Sequence, residues 1–380
     1  MFTIEMLHAN EGDALWIEYG PKDGPVRRIL VDAGRQTAGE EILRRVKTLS
    51  PDEIESQDES PPPSLFELFI MTHVDDDHIY GGLELLLKKE FYPTITKDLW
   101  FNGLADLEEA HGDTLGAKNG AFFEALIIER NFPWNAAFDR KAVRVPANGP
   151  LKSTTLEGGL KLTVLSPDAK RMKEMAQAWR NVLDAEKGDD DYIEPGDWRR
   201  ALEVLRETKK VPSDLLGDWH DKWAPDKVQE FAAEKYVEDT TAPNGSSIAV
   251  MAEYDGMRVL LTGDAFPTVL ETSLEKYADE HGLQLPLEIH AFKLSHHGSQ
   301  KNLSPKLLRL IDCKKFLIST NGSRYHHPHP AAVSRIITTH PGAELYFNYR
   351  SDESLVWDDD AILERDQYSL HYDEIVVLAG

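Results

Sequence analysis

The sequence predicts an α/β fold in which short apolar strands end in turns that carry metal-ligand side chains. Three features predict it. The run Leu65-Phe66-Glu67-Leu68-Phe69-Ile70 reads as a buried strand, short and rich in aromatic and aliphatic residues. The turn Met71-Thr72-His73-Val74-Asp75-Asp76-Asp77-His78 follows at once. From His78 to about Glu90, Ile79, Leu83, Leu85 and Leu86 then fall at helical spacing, so the ligand-type residues sit on a strand-to-helix turn.

Gly12–Ile17 and Ile29–Gly34 read as a hairpin, the first strand carrying a carboxylate near its start and the second ending in Asp32 and a turn glycine. In the 71–78 turn, side chains two apart point the same way, so His73 and Asp75 can share one ion. Asp77 and His78 follow at the helix start and can serve a second. Imidazole with carboxylate suits zinc, manganese or iron, and added oxygen ligands shift the preference toward manganese or magnesium. The plainer alternative is an acidic loop with Asp77 capping a helix. Two flanking histidines weigh against it.

Leu162–Pro167 and, much later, Asn244–Val250 read as two more strand segments. Val259–Ala265 delivers Asp264 at a glycine turn. Phe292–Ser299 carries Ser295, His296 and His297, and Ser319–Pro330 carries His326, His327 and His329. Seven of the 14 histidines lie in these turns, a clustering that ordinary packing histidines do not produce.

The string His73-x-Asp75-x-Asp77-His78 resembles the H-x-H-x-D-H signature of metallo-β-lactamase fold hydrolases, with Asp75 in place of the second histidine. With the other segments it is similar to the hydrolase domain of ComEC-type DNA-uptake competence proteins. Gly12–Ile17 with Ile29–Gly34, Leu165-Ser166-Pro167, Asn244–Val250, Leu260–Ala265, Lys293–Ser299 and Asn321–Pro330 match that family's motifs in order. Asn10-Glu11 departs from its usual G-Q, and His326 stands where it usually has glycine. Near Asn244 the wider fold carries a metal-binding histidine, and here there is none.

The resemblance implies an αββα sandwich of the metallo-β-lactamase type, two mixed sheets face to face with helices outside, as one domain over 1–380. It implies His73 and Asp75 at a first metal, Asp77 and His78 at a second, and Asp264 between them. His327 would complete the second site, and His296 is the candidate for the gap left at Asn244. Asp32, Asn244, Ser295, His297 and His329 would orient ligands or meet substrate, with Asp77, His297 and His329 as catalytic candidates. The implied chemistry is hydrolysis assisted by two divalent ions, zinc or manganese with magnesium as a further option. A phosphodiesterase or nuclease acting on DNA is the leading expectation. A small-molecule hydrolase, acting on a cyclic nucleotide, a lactone or another ester, is the alternative. A binding or regulatory module with a degenerate site is the third.

Composition bounds these readings. A chain of 380 residues can bury a large core. Its single cysteine, Cys313, excludes a disulfide framework and a cysteine zinc site. Met1–Leu7 starts on a strand pattern without a basic leader, and no run approaches 18 apolar residues, so a cytoplasmic protein with no membrane segment is expected. No counterpart of the competence proteins' transport channel is expected, and a DNA-uptake role is not expected to carry over. The net charge of −24 opposes simple polyanion binding, which lysine and arginine drive. The acidic, proline-rich stretch Ser50–Ser64 accounts for part of that charge and reads as exposed and mobile.

Residues 168–242 read as a helical insertion over the active-site face. Met172, Met175, Ala176, Trp179, Val182 and Leu183 fall at helical spacing, as do Trp198, Ala201, Leu202 and Leu205 after a capping Asp197. A third helix is expected from Pro225-Asp226, with Val228, Phe231 and Ala232 inward. The segment holds 13 basic residues, Lys209 and Lys210 among them, but also 19 acidic ones, which favours a solvated face over a substrate grip.

Overall fold

The computed structural model describes residues 1–49, 64–103, 116–185 and 219–379, the side chains of 116–119 and 179–185 excepted. Most of the 50–64 stretch, the helix expected at Trp198–Leu205, Lys209 and Lys210 lie outside the described residues.

Strand side chains alternate between faces, and here both faces are buried. Strands β1 (Phe2–Met6), β2 (Leu15–Tyr19), β3 (Arg27–Val31), β4 (Leu68–Ile70), β5 (Leu99–Trp100) and β14 (Val376–Ala379) form one sheet in the order β14-β1-β2-β3-β4-β5. Strands β6 (Ser153–Thr155), β7 (Lys161–Ser166), β8 (Ala249–Tyr254), β9 (Met257–Leu261), β10 (Leu287–Lys293), β11 (Ile311–Ile318), β12 (Glu344–Phe347) and β13 (Ser369–Tyr372) form the other, in the order β13-β12-β11-β10-β9-β8-β7-β6. Both sheets are mixed: β3-β4-β5 and β9 to β13 run parallel, and the remaining pairs antiparallel.

The alternation defines the layers. Leu15 and Ile17 of β2 join Leu162, Val250, Val259 and Leu317 of the opposite sheet in one apolar core. Trp16, between them, faces the other way, into a core with Ile42, Leu83, Phe123 and Met172. Those four belong to helices α1 (Gln36–Leu49), α2 (Asp76–Leu87), α3 (Gly116–Glu129) and α4 (Ala169–Ala185). On β9, Leu260 points outward to Leu274 of α5 (Pro267–His281) and Ile336 of α6 (Pro330–Thr339). Helix, sheet, sheet, helix is the αββα order that the motif resemblance implies.

The elements that flank the 71–78 turn are close to expectation. The strand ladder is shorter than the apolar run, since Phe66 pairs only through an isolated bridge to Thr96. Helix α2 starts two residues earlier than expected, at Asp76. The helix expected over Met172–Leu183 is α4. Beyond Pro225, a single 3₁₀ turn leads into a short helix, Val228–Ala232, with Val228 and Phe231 buried. Among the described residues no helix is long and apolar enough to cross a membrane.

Two glycines fix α2 against α1. Gly81 donates its N–H to Gly34 O at 2.8 Å, and a Cβ on Gly39 would meet Gly81 O at 2.8 Å. A Cβ on Gly81 itself would collide with the Ala33 carbonyl oxygen. Because this is backbone, the clash cannot be relieved by a rotamer change. Gly81→Ala should therefore lower stability by about 1–3 kcal/mol, read as a reduced midpoint in urea unfolding. An unchanged midpoint would show that the packing is not tight.

Candidate metal centre

The polar loops gather at one rim because of strand direction. Parallel β3, β4, β9, β10 and β11 end together, with Val31 beside Ile70, and Leu261 and Leu317 beside Lys293. Loops beyond those ends carry Asp32, the 71–78 turn, Asp264, His296-His297 and Ser319. Strand β2 runs antiparallel to β3, so its start brings Asp13 to the same rim. Outside the carboxyl ends of parallel strands is where α/β sheets place ligands.

Asp264 is the hub. Its carboxylate is buried, at 2 % exposure, and four imidazole Nε2 atoms face it. Oδ2 lies 3.7 Å from His73 and 3.8 Å from His296. Oδ1 lies 3.3 Å from His78 and 4.0 Å from His297. One further aspartate flanks each pair: Asp75 Oδ2 is 3.7 Å from His73 Nε2, and Asp77 Oδ2 is 3.4 Å from His297 Nε2. Two ligand sets thus meet at one carboxylate.

The opposite nitrogens are fixed from behind. His78 Nδ1 donates to Asp32 Oδ2 at 2.7 Å. Asp32 also accepts the Thr72 N–H at 2.7 Å and its hydroxyl at 2.8 Å, and that hydroxyl lies 3.0 Å from His73 Nδ1. His297 Nδ1 faces Asp13 Oδ1 at 3.2 Å and the Ser319 carbonyl at 3.0 Å. His296 Nδ1 lies 3.1 Å from Asn302 Oδ1, 3.1 Å from Asn244 Nδ2 and 3.5 Å from Asp239 Oδ2. A carboxylate behind an imidazole sets its tautomer and aims the other nitrogen, as metal-binding histidines require.

The donor set fits a divalent cation. His73 Nε2 and Asp264 Oδ1 are buried and make no hydrogen bond among the described residues. His73, His78 and Asp264 bring ligand atoms within 4.8 Å of one another, as do Asp13, His78 and His297. Ligands about 2.0–2.1 Å from an ion stand roughly 3.4 Å apart, near the 3.3–4.0 Å found around Asp264.

Charge tells the same story. Burial alone would raise the Asp264 carboxyl, but His78, His296 and His297 hold it well below the carboxylate range. Burial would likewise lower His297, yet Asp13 and Asp264 raise it to about 9. Asp13 is drawn down against its own burial by Lys293, whose Nζ donates to Asp13 Oδ2 at 2.6 Å. Both partners are buried, and losing one of such a pair costs about 3–5 kcal/mol.

The remaining expected residues fall further out. His327 is buried with its ring 5.1 Å from His296 and 6.2 Å from His297, and among the described residues no carboxylate lies within ion-pair distance of it. Burial, then His329, His296 and His297, push it well below its ordinary value. His329 accepts the Gln300 N–H on Nδ1 at 3.2 Å, and burial with nearby His296 lowers it to about 3. Ser295 is buried, and its hydroxyl makes no hydrogen bond among the described residues. His297, expected behind the ligands, stands beside Asp77 and His78. Asp13, Lys293, Asp239 and Asn302 were not singled out from the sequence. Only the carboxylate at the start of the first hairpin strand hinted at Asp13.

A cavity of about 390 Å³ adjoins the cluster, lined by Asp75, Asp76, Asp77, Asp239 and Asp264 and by Lys301, Arg324 and Tyr325. Glu11 reaches Arg35 at 2.6 Å and Arg324 at 3.7 Å, tying the cationic wall to the first hairpin.

No family model matches the chain, and no curated protein matches it. Among solved structures it is similar to Zn²⁺-bound PqqB from Methylobacterium extorquens, at 14% identity over 96% of this chain and 87% of that one, TM-score 0.37. It is similar to a protein assigned as a metal-dependent hydrolase from Parabacteroides distasonis, at 10% identity over 98% of each chain, TM-score 0.32. A CmlA beta-hydroxylase variant is 10% identical over 99% of this chain and 54% of that one, TM-score 0.36. Scores this low carry no functional inference. Fold and site define an αββα protein with a buried histidine–aspartate cluster suited to divalent metal.

If Asp32 aims His78, Asp32→Asn should weaken divalent-ion affinity by about 10–100-fold, measured by competition with a chromogenic chelator. Unchanged affinity in a folded variant would mean that Asp32 does not aim His78 at the ion.

Proposed function

We propose that the chain is a metal-dependent phosphodiesterase with DNA as leading substrate, akin to the metallo-β-lactamase-type hydrolases that its motifs resemble. The observation that supports this is the Asp264 carboxylate, whose two oxygens face separate histidine–aspartate sets. His73, Asp75 and His296 would hold one ion on the Oδ2 side. Asp77, His78 and His297 would hold another on the Oδ1 side. His327, expected to complete the second site, stands with its ring 5.1 Å from that of His296 and would serve as its buried neighbour. Zinc or manganese suits this donor set, and magnesium is the further option. Bound there, divalent ions supply Lewis acidity and make water acidic enough to deprotonate near neutral pH.

The chain's own groups do the rest. Asp77 borders the cavity and can orient an attacking water. His329 accepts on Nδ1, so its Nε2 carries the hydrogen, and a neutral ring of that kind donates a hydrogen bond to substrate without yielding the proton. Lys301 and Arg324 place positive charge on the cavity wall, where a phosphate would sit. Five aspartates, Asp264 among them, line the same cavity, and bound divalent ions would offset their charge. The cytoplasmic setting read from the sequence is part of this proposal.

The acidic surface suits the second reading better, since polyanion binding is driven by lysine and arginine. A cavity of about 390 Å³ in so acidic a chain matches a small phosphodiester or ester as well as a strand of DNA. Assays on a bis-aryl phosphodiester, single-stranded DNA and plasmid with added manganese or zinc separate the two. Cleavage of all three supports the nuclease, and cleavage of the aryl ester alone supports the small-molecule enzyme. Chelation should abolish hydrolysis and metal should restore it. Asp264→Asn should cost about 10³-fold or more in rate with an unchanged circular dichroism spectrum. A folded parent chain that retains no metal and cleaves nothing would refute the enzyme.

A further inference from the structure

Outside the Asp264 cluster, His220, His326 and Glu353 bring one ligand atom each within 4.8 Å of one another. Three segments far apart in sequence supply them. His220 opens a 3₁₀ turn, His220–Lys222; His326 precedes the buried His327; Glu353 lies in the first turn of the helix Asp352–Leu355. Two imidazoles and one carboxylate are a sufficient protein donor set for zinc, whose fourth position takes water.

Several features show that the arrangement is built. Glu353 is 5 % exposed, and among the described residues its only ion-pair partner is His326, with Nδ1 at 2.9 Å. Burying a carboxylate is expensive without a cation. Gly322 leaves the space this carboxylate occupies, since a Cβ there would collide with its oxygens. His326 holds a left-handed backbone, φ 52°, which glycine adopts freely and other residues pay roughly 1–2 kcal/mol to reach. A side chain kept at such a position points to a role for it. Trp219 holds the third donor in place: its ring stacks on His220 at 4.2 Å and 12°, while its N–H donates to the His326 carbonyl at 2.7 Å.

We propose that His220, His326 and Glu353 form an auxiliary site for a divalent transition-metal ion, zinc by donor chemistry. The ion neutralises the buried carboxylate. It also ties the end of the 168–242 segment to the loop that carries His327 and His329 into the cavity. Tetrahedral ligands stand roughly 3.4 Å apart, so closure from the present spread needs side-chain shifts of about an ångström. The proposal does not rest on the activity of the Asp264 centre.

The test counts metal on the full chain, stripped with chelator, reloaded with zinc and freed of excess by gel filtration. Glu353→Gln should hold one zinc fewer per chain than the parent. The Asp264→Asn chain should still hold one, and zinc should raise its thermal midpoint. Adding Glu353→Gln to Asp264→Asn should remove both the ion and the midpoint shift. Equal zinc in the parent and a folded Glu353→Gln chain would overturn the site, as would an Asp264→Asn chain that holds none. Should Glu353→Gln fail to fold, His220→Gln at a half-buried position answers the same question, and full zinc content there overturns it.

Discussion

Each oxygen of the buried Asp264 carboxylate faces two histidine Nε2 atoms, at separations of 3.3–4.0 Å. The separations exceed hydrogen-bond length for most of these pairs, and His73 Nε2 and Asp264 Oδ1 make no hydrogen bond among the described residues. Positive charge placed on either side satisfies them together. The asymmetry of the cluster, with Asp75 beside His73 and Asp77 beside His297, divides those sides into two comparable donor sets.

That convergence depends on support from behind and below. Asp32 holds His78 and Thr72, and through Thr72 it sets His73. Asp13 holds His297 and is held in turn by Lys293, which also donates to the Leu294 carbonyl at 2.9 Å. Two buried layers of charge are tolerable only because each member has a partner. The rigid part is the sandwich: three apolar cores lock the strand ends in register, and the loops inherit that precision.

Much of this was legible in the sequence where the signal was local. Gly12–Ile17 and Ile29–Gly34 read as a hairpin, and β2 and β3 pair antiparallel there. The 71–78 turn carried its two histidines and its aspartates within six residues. The strand-plus-glycine-turn pattern at 259–264 flagged Asp264. What was hidden is long-range or conformational. Lys293 meets Asp13 across 280 positions, and a lone lysine in an apolar run shows no sign of it. His296 and His297 are adjacent, yet consecutive left-handed residues, φ 48° and 54°, send their rings to opposite oxygens of Asp264. No spacing rule reveals which ring goes where. The motif resemblance placed His327 at the second site because it stands in a His-Pro-His-Pro run. The folded loop sets that ring against His296.

Anomalous X-ray scattering from a crystal of the parent chain loaded with zinc or manganese locates the ions themselves. A two-ion centre gives strong peaks on both sides of the Asp264 carboxylate, one bordered by His73, Asp75 and His296 and the other by Asp77, His78 and His297. A loaded crystal with no peak at Asp264, and its imidazoles hydrogen-bonded only to protein and water, would contradict it.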